Sequence, residues 1–219
     1  MYQRFAQVRG EVKTKAQGIV LANYGIKLSM GPFKIAERVE ELLKRRNYTF
    51  LDPDTRFKPF QNTAYLILAG QQWFCDASAL GVGPFHFRFD PLPLPTIAFM
   101  TVAIQCALID WRSGVFKPKP NHFTLEAYRK SYHVVLKRLT DWQKRHPGKM
   151  VELRACMWSQ LRALSGTPRV DDSEDDFLDE DEMDQELEYR YDNLYTLHPV
   201  DEGHDGENGE NGENSGESA

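Results

Sequence analysis

The sequence predicts a mostly α-helical body, a compact irregular domain of about six helices with at most a short β-strand pair over residues 1–165. A disordered acidic tail is expected over residues 166–219. Three observations carry this expectation. Apolar residues recur at helical spacing between breaks marked by proline and glycine. The strand-like alternation of period two is confined to one short stretch. Charge, finally, separates at Gly166: residues 1–165 hold 25 Lys and Arg against 12 Asp and Glu, a net +13, whereas residues 166–219 hold 2 against 20, a net −18.

In the first element Phe5, Val8, Val12, Ala16, Ile19 and Val20 keep helical spacing until Asn23-Tyr24-Gly25 ends the run. Gly31-Pro32 opens a second helix, with proline at a position where its missing N–H costs nothing. Ala36, Val39, Leu42 and Leu43 form its inner face. Glu40 with Lys44 and Glu41 with Arg45 are i,i+4 pairs in the favourable orientation, and Lys44-Arg45-Arg46 suits the negative end of the helix dipole. Residues 47–60 read as a loop carrying Asp52-Pro53 and Pro59. A third helix follows over about 62–75. Gly81, Gly83 and Pro84 then break the chain, and Phe85-His86-Phe87-Arg88-Phe89 alternates as a strand does, its three rings on one core-facing side. Pro91, Pro93 and Pro95 impose an extended segment.

From Pro95 to about Arg112 the helix is apolar on most sides, the pattern of a central element, and Gly114 is placed to cap it. After Lys117-Pro118-Lys119-Pro120 comes the best-specified helix. Thr124 is its N-cap, and Phe123 can staple onto Tyr128; the helix runs to His146, where Pro147-Gly148 stop it. A last helix, about 150–164, is expected to bury Val151, Ala155, Trp158 and Leu161. The tail is low in complexity, with Gly-Glu-Asn repeated from Gly206 to Asn214. Its few aliphatics and high charge predict disorder. Within it Met183, Leu187, Tyr191, Leu194 and Tyr195 fall on one helical face, a candidate docking motif.

Composition narrows the function classes. The longest apolar stretch, Thr96 to Leu108, is shorter than the roughly 20 residues a bilayer requires and contains Gln105, so no membrane partner is expected. No apolar signal segment follows Met1. Cys75, Cys106 and Cys156 are odd in number and far apart, each among apolar residues, and read as buried reduced thiols in a cytoplasmic or nuclear, intracellular protein.

Ala107-Leu108, Trp111 and Gly114, followed by Phe123, Tyr128 and Tyr132, form a recognisable arrangement. Together with Lys15-Ala16, Tyr24-Gly25, the helix from Ile35-Ala36 to Leu43, and Phe60-Gln61-Asn62, it resembles an uncharacterised domain family of mushroom-forming fungi (Agaricomycetes), a domain of unknown function. The resemblance covers about residues 1–145. It implies a helical domain attached to charged, disordered regions and brings no catalytic residues.

The residues themselves point to no reaction. His86, His122, His133, His146, His198 and His204 include no pair at i,i+3 or i,i+4, and no Cys-x-x-Cys occurs, so no metal site is expected. No Gly-x-Ser-x-Gly is present. Gly81-Val82-Gly83-Pro84 lacks the Gly-Lys-Ser/Thr of a phosphate cradle and reads as a turn. Asp90, Asp110, Glu126 and Asp141 are scattered; Asp110, beside Trp111 and Arg112, suits a cap or ion pair better than general-base duty. No catalytic residue and no cofactor is therefore expected.

Positive charge is the remaining signal. On the Thr124–His146 helix Lys130, Lys137 and Lys144 recur every seven residues and share a face within about 40°. Arg138 and Arg145 lie beside them, opposite Tyr128, Tyr132, Val135, Leu139 and Trp142. The expectation is a module binding a polyanion, nucleic acid first, whose acidic tail competes in cis. A non-catalytic protein-interaction module, recruiting a basic partner through the tail, is the alternative. Oligomeric state is not legible.

Overall fold

The structure, a computed structural model, describes residues 2–76, 78–83, 85–118 and 121–166, with side chains from residue 6 onward. The tail, including Met183 to Tyr195, lies outside the described residues. The elements are α1 (Tyr2–Asn23), α2 (Gly31–Leu43), β1 (Phe50–Asp52), β2 (Phe57–Pro59), α3 (Thr63–Trp73), α4 (Leu94–Ile109), α5 (Leu125–Arg145) and α6 (Pro147–Leu164), with short 3-10 turns between. Among the described residues the body is mostly helical, with one short strand pair, within the expectation of at most one. None of the described helices is long and apolar enough to cross a membrane.

Helix α4 is the axle of the fold. Eleven of its sixteen residues are buried, among them Ile97, Met100, Ile104 and Leu108, because α1, α2, α3 and α5 all pack against it. Three tyrosines join this core. Tyr24 donates to the Tyr48 carbonyl at 2.9 Å, and Tyr65 shares a hydrogen bond with Thr101 Oγ1 at 2.9 Å. Burial pushes the phenols of Tyr24, Tyr48 and Tyr65 above their usual range, so they stay neutral.

The chain leaves α4 through Gly114, at φ +79°, and its Cα lies against the Pro32 backbone at the start of α2. A methyl group there would overlap the Pro32 carbonyl. Gly114→Ala is therefore expected to cost about 2–4 kcal/mol, the sum of left-handed strain and backbone overlap. A thermal melt would check it, and an unchanged midpoint would contradict the packing.

The strand pair sits elsewhere than expected. It is the antiparallel hairpin β1–β2, with Phe50 opposite Pro59 and Asp52 opposite Phe57, inside the segment read as loop. Asp52 organises its turn by accepting from the Asp54 N–H (3.0 Å) and the Thr55 hydroxyl (2.7 Å). Phe85–Phe89 is not a strand. His86–Phe89 is a 3-10 turn, in which the N–H groups of His86, Arg88 and Asp90 bond the carbonyls three residues back. That leaves no ladder to extend. Only Phe89 packs inward, 5.6 Å from the Phe74 ring, while Phe85 and Phe87 are exposed beneath the Arg88 guanidinium.

Three further expectations are corrected. Helix α2 ends at Leu43, and Arg45 and Arg46 have positive φ, so the pairs Glu40–Lys44 and Glu41–Arg45 do not form. Glu40 meets Arg112 instead, and Glu41 meets Arg38. Helix α6 starts at Pro147 and buries Met150, Leu153, Met157 and Leu161, leaving Val151 half exposed. Arg154 then clamps the proline segment to α6 by donating to the carbonyls of Leu92 (2.6 Å) and Pro91 (3.2 Å). Of the cysteines only Cys106 is buried. Cys156 faces outward from α6, and Cys75, just past the end of α3, bonds Asp76.

Candidate polyanion-binding face

Helix α5 begins where the sequence marks it. The Thr124 hydroxyl accepts from the Ala127 N–H at 3.2 Å, and the Phe123 and Tyr128 rings meet edge to face at 5.2 Å. Lys144 and Arg145 complement the negative end of the dipole, and Pro147 stops the helix just after His146. Tyr128, Val135 and Leu139 are buried against α4, while Tyr132 and Trp142 are half-buried at the margins. One face is thus committed to the core, and the sequence decides what remains outside.

Outside lie Lys130, Lys137 and Lys144, all exposed, each about 10.5 Å along the axis from the next. Arg138 and Arg145 are exposed on one flank. That flank faces the 3-10 turn after α2, where Arg46 donates to Ser131 Oγ at 3.3 Å and Ser131 in turn donates to Gln105 at 2.7 Å. All five candidate side chains therefore share one solvent-facing side of α5. Two more exposed cations near them in sequence were passed over: Arg129, the immediate neighbour of Lys130, and Lys149 in the first turn of α6. Counting every Lys and Arg in the run 125–149 would have found them. There are seven, against Glu126 and Asp141.

Asp141 is the acid within the stripe. It accepts from Lys137 Nζ at 2.8 Å, and its backbone carbonyl accepts from Arg145 Nε at 3.3 Å. The hydrogen bond from Lys137 holds the Asp141 carboxyl below the usual carboxylate range, with Lys144 and Arg145 adding to it. The pair is exposed on both sides, so Lys137 can exchange Asp141 for a phosphate at little cost.

A second charged cluster has a different character. Lys13 of α1 lies 3.3 Å from Asp110, whose side chain is fully buried at the end of α4. Gln17 donates to Asp110 Oδ2 at 2.6 Å and Asn121 to Oδ1 at 2.7 Å. Lys13 also reaches the carbonyls of Pro118 and Asn121, and Tyr128 donates to Asn121 Oδ1 at 2.5 Å. Asp110 is thus an ion-pair partner, every oxygen engaged, and the cluster ties α1, α4, the loop before α5 and α5 itself together. Cys106 lies beside it, and burial pushes its thiol up, the opposite of what a nucleophile needs.

Fold and face together define a small helical domain built around one buried helix, with a basic helix turned to solvent. The chain belongs to the family described as "Domain of unknown function (DUF6532)", whose model matches residues 1–142. The matched stretch contains Lys130, Lys137 and Arg138 and stops before Lys144, Arg145 and α6. No curated protein and no solved structure matches the chain.

Proposed function

We propose that the body is a non-catalytic polyanion-binding module, with nucleic acid as its polyanion. In this reading Lys130, Lys137, Lys144, Arg138 and Arg145 contact phosphate. The observation that carries it is the exposure of all five on one side of a helix whose other side is fixed in the core. A stripe repeating every 10.5 Å spans about three nucleotide steps of 3.4 Å along one strand, so successive lysines meet separate phosphates.

The tail completes the proposal. Its net −18, tethered to a body of +13, is a polyanion at high local concentration and competes in cis for the same cations. Deleting residues 166–219 removes none of the helices described above. It is expected to raise affinity for an oligonucleotide about tenfold or more and to steepen the salt dependence, because the cations are then free to release counterions on binding. Electrophoretic mobility shifts of the two forms would show it. Equal binding by both would refute the decoy.

A protein-interaction module is the second reading, favoured by one feature of the body. Phe33 (81% exposed), Val115 and Phe116 flank the place where Gly114 meets Pro32 and leave an apolar surface in solvent. In this reading the acidic tail recruits a basic protein, and the body's charge serves solubility.

A further inference from the structure

An apolar cavity of about 310 Å³ opens beside the basic face, between the early part of α1, the middle of α4 and the start of α5. Its walls are Val8, Phe99, Val102, Phe123, Leu125 and the ring of Tyr132. The Phe99 and Phe123 rings stack at 5.6 Å and make one side rigid. Tyr128 also lines it, but its hydroxyl is engaged by Asn121, so it offers the space only a ring. The volume lies at the lower end of the roughly 300–1,000 Å³ typical of small-molecule sites.

Two guanidinium groups, those of Arg9 and Arg129, line this cavity together with His133 and the Thr124 hydroxyl, and none of its described lining residues is acidic. The Nε of Arg9 is buried and has no hydrogen-bond partner among the described residues. A guanidinium N–H left in that state is costly unless a ligand supplies an acceptor. Arg129 is exposed, with no ion-pair partner among the described residues, so it can close over a bound anion from the rim. The first turn of α5 after Thr124 adds the positive end of a 21-residue helix, partly offset by Glu126 in that turn.

We infer that this cavity binds a small amphipathic carboxylate, its alkyl or aryl part among Val8, Val102, Phe99 and Leu125 and its carboxylate between Arg9 and Arg129. The two guanidinium groups supply charge-assisted hydrogen bonds that an uncharged analogue cannot use. The site is separate from the phosphate contacts proposed on α5, since none of those five residues lines it. It stands whether or not the body binds nucleic acid.

The test uses the full chain, with octanoate and octan-1-ol as a matched pair differing in the charged group. Calorimetric titration is expected to show one octanoate per chain, binding in the sub-millimolar to low-millimolar range that about ten non-hydrogen atoms allow. Octan-1-ol should bind about tenfold more weakly. Methyl signals of Val8, Val102 and Leu125 should shift with octanoate. Arg129→Gln alters an exposed side chain and leaves the fold intact, so it is the deciding variant; it and Arg9→Gln should each weaken octanoate binding about fivefold and leave octan-1-ol unaffected. Leu125→Trp should fill the cavity and abolish both. The proposal falls if no saturable binding occurs up to several millimolar, if the acid and the alcohol bind alike, or if Arg129→Gln binds octanoate as the parent does.

Discussion

Asp110→Ala is expected to cost the fold about 3–5 kcal/mol, the range for removing one partner of a buried ion pair. The reason lies with what remains. Lys13 would be left almost buried with two backbone carbonyls and no counter-charge, while Gln17 and Asn121 would lose an acceptor each. Because the cluster joins α1 to α4 and to the entry of α5, the loss falls on the cooperative unit and not on one loop. Urea unfolding followed by circular dichroism would measure it. A double variant, Lys13→Met with Asp110→Leu, should recover part of the loss, since two apolar groups leave no stranded charge. A loss below about 1 kcal/mol in Asp110→Ala would mean that water reaches the pair and that the cluster does not hold the helices together.

Replacing Lys130, Lys137 and Lys144 together by Gln is expected to weaken oligonucleotide binding roughly 100-fold near physiological salt. Each phosphate contact contributes close to 0.9 to the slope of log affinity against log salt on duplex DNA, and three contacts at about 0.15 M multiply to that figure. All three side chains are exposed and outside the core, so the unfolding midpoint should stay where it is. That combination separates lost contact from lost fold. A single substitution is a weaker test, because the other two lysines with Arg138 and Arg145 would still hold the strand. Unaltered binding by the triple variant would move the contact surface off α5.

Where local chemistry specifies structure, the sequence was readable. The cap at Thr124, the Phe123–Tyr128 staple and the Pro147 stop set the bounds of α5, and its seven-residue lysine repeat then follows geometrically onto the exposed side. The apolar run after Pro95 marked α4 as central, and Gly114 was legible as the residue that ends it, though not the reason no other fits there, the Pro32 backbone. What was missed depends on distant partners. Lys13 and Asp110 are 97 residues apart, and nothing near either announces the other. The hairpin consists of three-residue strands, and Arg56 and Phe60 on either side of β2, with Lys58 in its middle, take positive φ, a conformation that side-chain type does not advertise. Phe85–Phe89 has the alternation of a strand but no neighbour to pair with. On α6, Met, Ala, Cys and Trp are apolar on nearly every side, so periodicity could not choose between the Val151 face and the Met150 face. The same ambiguity put Cys156 inside when it lies outside.

Electrostatic phosphate binding by the basic face, as proposed, requires affinity to fall steeply with salt. Anisotropy of a labelled oligonucleotide with the chain ending at Ser165 should show affinity falling roughly 100- to 500-fold between about 50 and 200 mM salt, as five phosphate contacts require, the lower figure for single strands and the higher for duplex. Absence of binding at the lower salt, or binding that ignores salt, would contradict the account and turn attention to the apolar surface around Phe33 and to protein partners of the acidic tail.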